Sequence, residues 1–184
     1  MKSVLISIRP KWCELIASGK KTIEVRKTRP KLETPFKCYI YCTKPKMITK
    51  YVFKPEDYPE YMRPEKTVFC KVPDASSPFC SEVNGNGKVI GEFVCDAIYP
   101  ISVTYADPNN HLARRDFPFT GMTDKKIMDY LGNGEAGYGW HISDLKIYDM
   151  PKEVGDFHHC GVNYHYNPSV TKPPQSWCYV EELR

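Results

Sequence analysis

The chain has 184 residues, 41% of them apolar and 26% charged, which is enough apolar material for a folded core and too much for a disordered chain. No run reaches the roughly 18 apolar residues of a membrane span, and the first ten residues lack the apolar stretch of a secretory leader. A cytoplasmic protein with no membrane partner is therefore expected.

The net charge of +4 hides an asymmetry: residues 1–50 carry 13 Lys+Arg against 3 Asp+Glu, and the remaining 134 carry 13 against 19. Charge segregated in this way suits a polyanionic partner. None of the eight cysteines sits in a CxxC pair and several fall in apolar runs, so reduced, buried thiols are expected rather than a disulfide scaffold.

Residues 3–9 alternate as a strand, with Val4, Ile6 and Ile8 on one face. Pro10 then opens a helix in which Trp12, Leu15 and Ile16 form the apolar stripe, and Gly19 stops it. Residues 22–27 read as a second strand with Ile23 and Val25 inward, which puts Thr22, Glu24 and Arg26 together on the opposite face. Residues 36–42 form a third strand. Residues 44–87, rich in proline and tyrosine, break the pattern and read as an insertion with a hairpin. They close with Asn84-Gly85-Asn86-Gly87, a strong turn signal.

Beyond the insertion, 88–101 reads as one long strand. Thr123 caps a helix striped by Ile127, Met128 and Leu131 and ended by Gly132. Residues 138–150 form another strand, 151–174 a loop, and 176–181 the closing strand. So few crossover helices argue against a doubly wound parallel sheet. The expected fold is α+β, a small and mostly antiparallel barrel with peripheral helices. It is read as a single domain over 1–184 with the insertion at about 44–87.

Chemistry concentrates in Gly19-Lys20-Lys21-Thr22-Ile23-Glu24-Val25-Arg26. A carboxylate flanked two residues away by a hydroxyl and a guanidinium, with lysines adjacent, makes a polar network that keeps the carboxylate ionised. Lys11, Lys20, Lys21, Lys27, Arg29 and Lys31 crowd the same unit, and Trp12 lies one helix away. An aromatic beside cations is what base stacking requires.

These residues carry a resemblance. Ser7-Ile8-Arg9-Pro10-Lys11-Trp12 and Ile16 to Arg26 resemble the opening of ASCH-domain proteins (activating signal cointegrator homology). So do Gly87 to Phe93, Gly139 to Leu145 and Pro173 to Glu181. The resemblance implies a PUA-like β-barrel with a cleft beside the first helix, and a role in RNA binding, coregulation or nucleoside processing. Some relatives are amidohydrolases of acetylated cytidine that use a Lys, a Thr nucleophile and a Glu. Lys21 matches that lysine, but the nucleophile position holds Glu24, and Thr22 matches a different threonine. Losing the hydroxyl changes the reaction available. Other relatives are ribonucleases, for which Lys21 and Glu24, with Ser7, would serve as acid and base.

The leading expectation is a binding module for RNA or a modified nucleoside. Lys11, Lys20, Lys21, Arg26 and Arg29 would engage phosphates, Trp12 would stack on or wall a base, Glu24 and Thr22 would read polar edges, and His141 would line the cleft wall. A hydrolase with Lys21 and Glu24 as its catalytic pair is the alternative. A protein-interaction adaptor acting through the insertion is a third reading. No cofactor and no metal are expected, since His158, His159, Cys160 and His165 lack paired zinc spacing. The chain is expected to be monomeric.

Overall fold

A computed structural model describes residues 1–44, 47–73, 86–102, 119–132, 136–160 and 168–183. Ten strands and two α-helices are described, in the order β1 (Lys2–Ile8), α1 (Pro10–Ala17), β2 (Ile23–Arg26), β3 (Phe36–Cys42), β4 (Met47–Phe53), β5 (Val68–Pro73), β6 (Val89–Cys95), β7 (Ile98–Ser102), α2 (Asp124–Leu131), β8 (Ala136–His141), β9 (Ser143–Lys152) and β10 (Trp177–Glu181).

The strands form a five-stranded sheet in the order β10-β1-β3-β6-β9, a three-stranded sheet β2-β8-β7, and a two-stranded arm β4-β5. Among the described residues only β1 and β3 pair in parallel, as the crossover through α1 and β2 allows. Among the described residues no backbone ladder joins one sheet to another. The fold is therefore a mixed α+β arrangement of separate sheets, where the sequence pointed to one closed barrel.

The physical reason lies in two corners. The alternation over 88–101 runs on without a break in the sequence, yet the chain turns at Asp96-Ala97: β6 belongs to the large sheet and β7 to the small one. The stretch 138–150 divides in the same way at Ile142 into β8 and β9. The corners meet, because His141 N donates to Ala97 O at 2.9 Å.

The core sits between these sheets and α1. Val4, Ile6 and Ile8 of β1 pack with Cys13 and Ile16 of α1, Phe36 and Ile40 of β3, Phe93 of β6 and Trp140 of β8. Trp140 is fully buried and makes an edge contact with Phe36 at 6.0 Å between ring centroids. The second face of β1 is dry as well, since Leu5 packs with Tyr39, Tyr41, Val89, Phe157 and Val170. Phe157 and Val170 come from the stretch read as loop, and they seal that face.

Residues 47–73 form their own antiparallel pair, with single turns of 3-10 helix at Pro55–Asp57 and Glu60–Met62 between the strands. Tyr61, Met62 and Phe69 are exposed there. Of the turn at 84–87, Asn84 and Gly85 lie outside the described residues; Gly87 has φ +87°. Among the described residues no helix is long and apolar enough to cross a membrane.

Candidate functional site

α1 begins where the sequence demands. Pro10 occupies the first turn, Arg9 is extended at φ −70° and ψ 147°, and Gly19 leaves the helix at φ +71°. That exit delivers Lys21 beneath the helix, with Lys21 N bonded to Leu15 O at 2.9 Å. Two residues on, β2 pairs with β8, so that Glu24 lies opposite Trp140 and Ile23 opposite His141. Side chains on one strand alternate between faces. Glu24 therefore shares the inward face of Trp140, while His141 goes to the other face with Ile23.

Lys21, Glu24 and Arg26 are all buried, at 1%, 6% and 6% exposure. Lys21 Nζ lies 3.2 Å from Glu24 Oε2, and Arg26 Nη2 lies 3.0 Å from Glu24 Oε1. The lysine also donates to Ile23 O at 2.7 Å and Thr120 O at 2.6 Å, which spends its three N–H donors. Arg26 Nη2 donates to Ser7 O, and Nη1 donates to Ser176 Oγ at 3.3 Å. Burial of this kind is tolerated because each charge has an opposite partner and further hydrogen bonds. The indole of Trp12 overhangs the group, 5.4 Å from Lys21 Nζ to the ring centroid, with Lys11 Nζ at 5.5 Å.

Above the triad opens a cleft of about 700 Å³, a volume in the range of small-ligand sites. Trp12, Lys21, Glu24 and Arg26 line it, joined by Ser7 and Arg9 from the start of the chain. Its far wall is Met122, Lys126, Asp129 and Tyr130 of α2 and the turn before it, and Gln175 and Ser176 close a third side. The turn is tied to the triad, because Thr22 N and Ile23 N both donate to Phe119 O.

Other residues expected at the site lie elsewhere. Lys11, Lys20 and Arg29 are exposed outside the cleft, with the Arg29 guanidinium 5.8 Å from the Tyr138 ring. Thr22 precedes β2 and is half-buried, its carbonyl accepting from Ile142 N. His141 sits at the corner between the sheets with Nδ1 2.6 Å from Asp96 Oδ1, because its place in the alternation opposes Ile23 rather than Glu24. Sequence reasoning missed Arg9, Lys126, Asp129, Tyr130, Gln175 and Ser176 as lining groups. Only a tertiary contact brings α2 and the C-terminal segment to β2, and no local pattern records it.

Among the described residues no group of three His, Cys, Asp or Glu side chains could hold a metal. His158 and His159 are engaged in backbone bridges to Ser169 and Val180, and His165 lies outside the described residues.

Comparison with known proteins agrees with this picture. No curated protein matches the chain. The solved structures it resembles include the ASCH protein of Zymomonas mobilis, at 19% identity and a TM-score of 0.58, covering 98% of this chain and 88% of that one. A single-residue variant of the same protein gives a TM-score of 0.58 over 99% and 92% of the two chains, again at 19% identity. Residues 6–74, which contain α1, the buried triad and the whole β4–β5 arm, match the model of the ASCH domain family. Over residues 6–74 the chain is thus similar to the ASCH domain, and its fold is similar to that of a solved ASCH protein.

Proposed function

We propose that this protein binds RNA or a modified nucleoside by inserting a base into the cleft over Glu24. The observation that carries the reading is the buried Lys21–Glu24–Arg26 triad, roofed by Trp12, at the floor of a cleft large enough for a nucleotide. A carboxylate paired with one cation on each oxygen still offers acceptor lone pairs to a base edge. Trp12 and Tyr130 supply aromatic surface for stacking. Phosphates fall to the rim, where Arg9 and Lys126 line the cleft and are exposed, with Lys11, Lys20, Lys27, Arg29 and Lys31 exposed nearby in sequence. A cytoplasmic location belongs to the same reading.

The test is filter binding of single-stranded RNA at two salt concentrations, comparing the wild type with Arg9→Ala, Lys126→Ala and Trp12→Ala. Each rim cation that meets a phosphate steepens the slope of log K against log salt by about 0.7. Trp12→Ala is expected to weaken binding by about 1–3 kcal/mol, the worth of one stacked base. Unchanged affinity in all three variants, with no dependence on salt, would remove the reading.

A hydrolase acting on RNA or a modified nucleoside is the second reading, favoured by the 3.2 Å contact between Lys21 and Glu24. Incubating labelled RNA or acetylated cytidine with the wild type and with Glu24→Gln decides it. Turnover by the wild type that Glu24→Gln abolishes supports the hydrolase, and equal signals end it.

A further inference from the structure

We infer that the cleft is selective for guanine, with Glu24 accepting from the two adjacent N–H donors of its Watson–Crick edge. This deepens the RNA-binding reading and rests on it.

The argument starts from which groups on the floor remain available. Lys21 spends its three donors on Glu24, Ile23 O and Thr120 O. Arg26 commits Nη2 to Glu24 and the Ser7 carbonyl, and Nη1 to Ser176. Its Nε is buried. The floor cations are thus poor phosphate ligands, although the sequence reading gave Lys21 and Arg26 that task. Glu24 differs. An ionised carboxylate has about four lone-pair sites, and the two ion pairs engage one on each oxygen. What reaches the floor meets an acceptor on both oxygens.

A ligand edge that suits this floor must donate twice from neighbouring atoms. Guanine does so through N1–H and N2–H. Adenine and cytosine set one amino group beside an acceptor nitrogen, and uracil sets one N–H between two carbonyls. Each would turn a lone pair toward the carboxylate. A site built around buried polar groups rejects an analogue that leaves them unpaired far more strongly than it rejects a change of size.

The experiment is calorimetric titration of the unaltered protein with GMP, IMP, AMP, CMP and UMP, with RNA filter binding run in parallel. GMP is expected to bind roughly tenfold or more tightly than AMP, CMP or UMP, in keeping with one good bidentate base contact. IMP, which keeps N1–H but lacks the amino group, is expected between them. Glu24→Gln, whose amide offers one acceptor and one donor, is expected to lose the preference for GMP. Because that variant disturbs a buried triad, the ligand series on the wild type carries the test by itself. Equal affinities, or no nucleotide binding, with salt-dependent RNA binding intact would overturn the guanine assignment and leave the RNA reading in place. Absence of both nucleotide and RNA binding would overturn the two together.

Discussion

Glu24 and Trp140 face each other across the β2–β8 ladder, one a carboxylate at 6% exposure and the other an indole at 0%. The small sheet thus drives its anchor into the core and presents its charge to the cleft from one face. Folding the core and aiming the carboxylate are a single event, so the site inherits its rigidity from Trp140 and its neighbours Phe36 and Trp177.

Removing Glu24 should therefore be costly. Glu24→Ala leaves Lys21 and Arg26 buried without their counterion, and the expected loss is about 3–5 kcal/mol. Glu24→Gln keeps the shape and one acceptor and should cost less. Urea denaturation of both variants checks the order. If both match the wild type, the triad is not buried as described.

Gly121 makes the second prediction. It adopts φ +68°, and a Cβ there would lie 3.1 Å from Leu15 Cδ1 and 3.6 Å from Trp12 Cζ3. Gly121→Ala is expected to destabilise by about 1–2 kcal/mol from the left-handed conformation alone. It should also push Leu15 aside by a few tenths of an ångström, while the approach to Trp12 is ordinary contact, so RNA affinity should fall no further than the stability loss explains. Thermal unfolding and filter binding on the same samples check both expectations.

The recognisable part of the site was local in the sequence. Lys21, Glu24 and Arg26 lie within six residues, and the alternation of β2 puts Glu24 and Arg26 on one face with no tertiary information. Trp12 followed from the helix stripe after Pro10. What stayed hidden depends on distant contacts: Tyr130 and Lys126 reach the cleft because α2 packs through Ile127 and Leu131 onto Ile23 and Val25, a pairing that could equally have formed against another apolar surface. The corners at Asp96-Ala97 and Ile142 were invisible for a related reason, since a strand that changes sheets keeps its alternation. His141 was assigned to the cleft because its neighbourhood belongs to the ASCH-like blocks, and one position of register moved it to the other face.

Thiol chemistry gives a third test. Burial pushes the Cys95 thiol up to about 12 and raises Cys38 well above its ordinary value. The reactive thiolate is scarce at both positions near neutral pH. Iodoacetamide at pH 8 should leave Cys38 and Cys95 unmodified in the folded protein and alkylate them after denaturation, as read by peptide mass. Rapid modification in the native state would contradict the buried placement.

The corner supplies a pH prediction. The hydrogen bond from His141 lowers the Asp96 carboxyl below its ordinary value. The unfolded chain then binds that proton more readily than the folded one, so the contact stabilises above the unfolded pKa of about 3.9 and is lost as pH falls through the folded value. Both side chains are substantially exposed, at 34% and 45%, and the contribution should stay below about 1 kcal/mol. Asp96→Asn is expected to be slightly less stable at neutral pH, with the gap closing in acid. A gap that widened in acid would invert the sign and refute the assignment.

The most direct measurement is an NMR titration of the tryptophan indole N–H signals with a short single-stranded RNA, assigned through Trp12→Phe. The Trp12 signal should move and saturate while that of buried Trp140 holds still. Saturable RNA binding that leaves the Trp12 signal unmoved would place the nucleic acid elsewhere on the protein and contradict a base seated over Glu24.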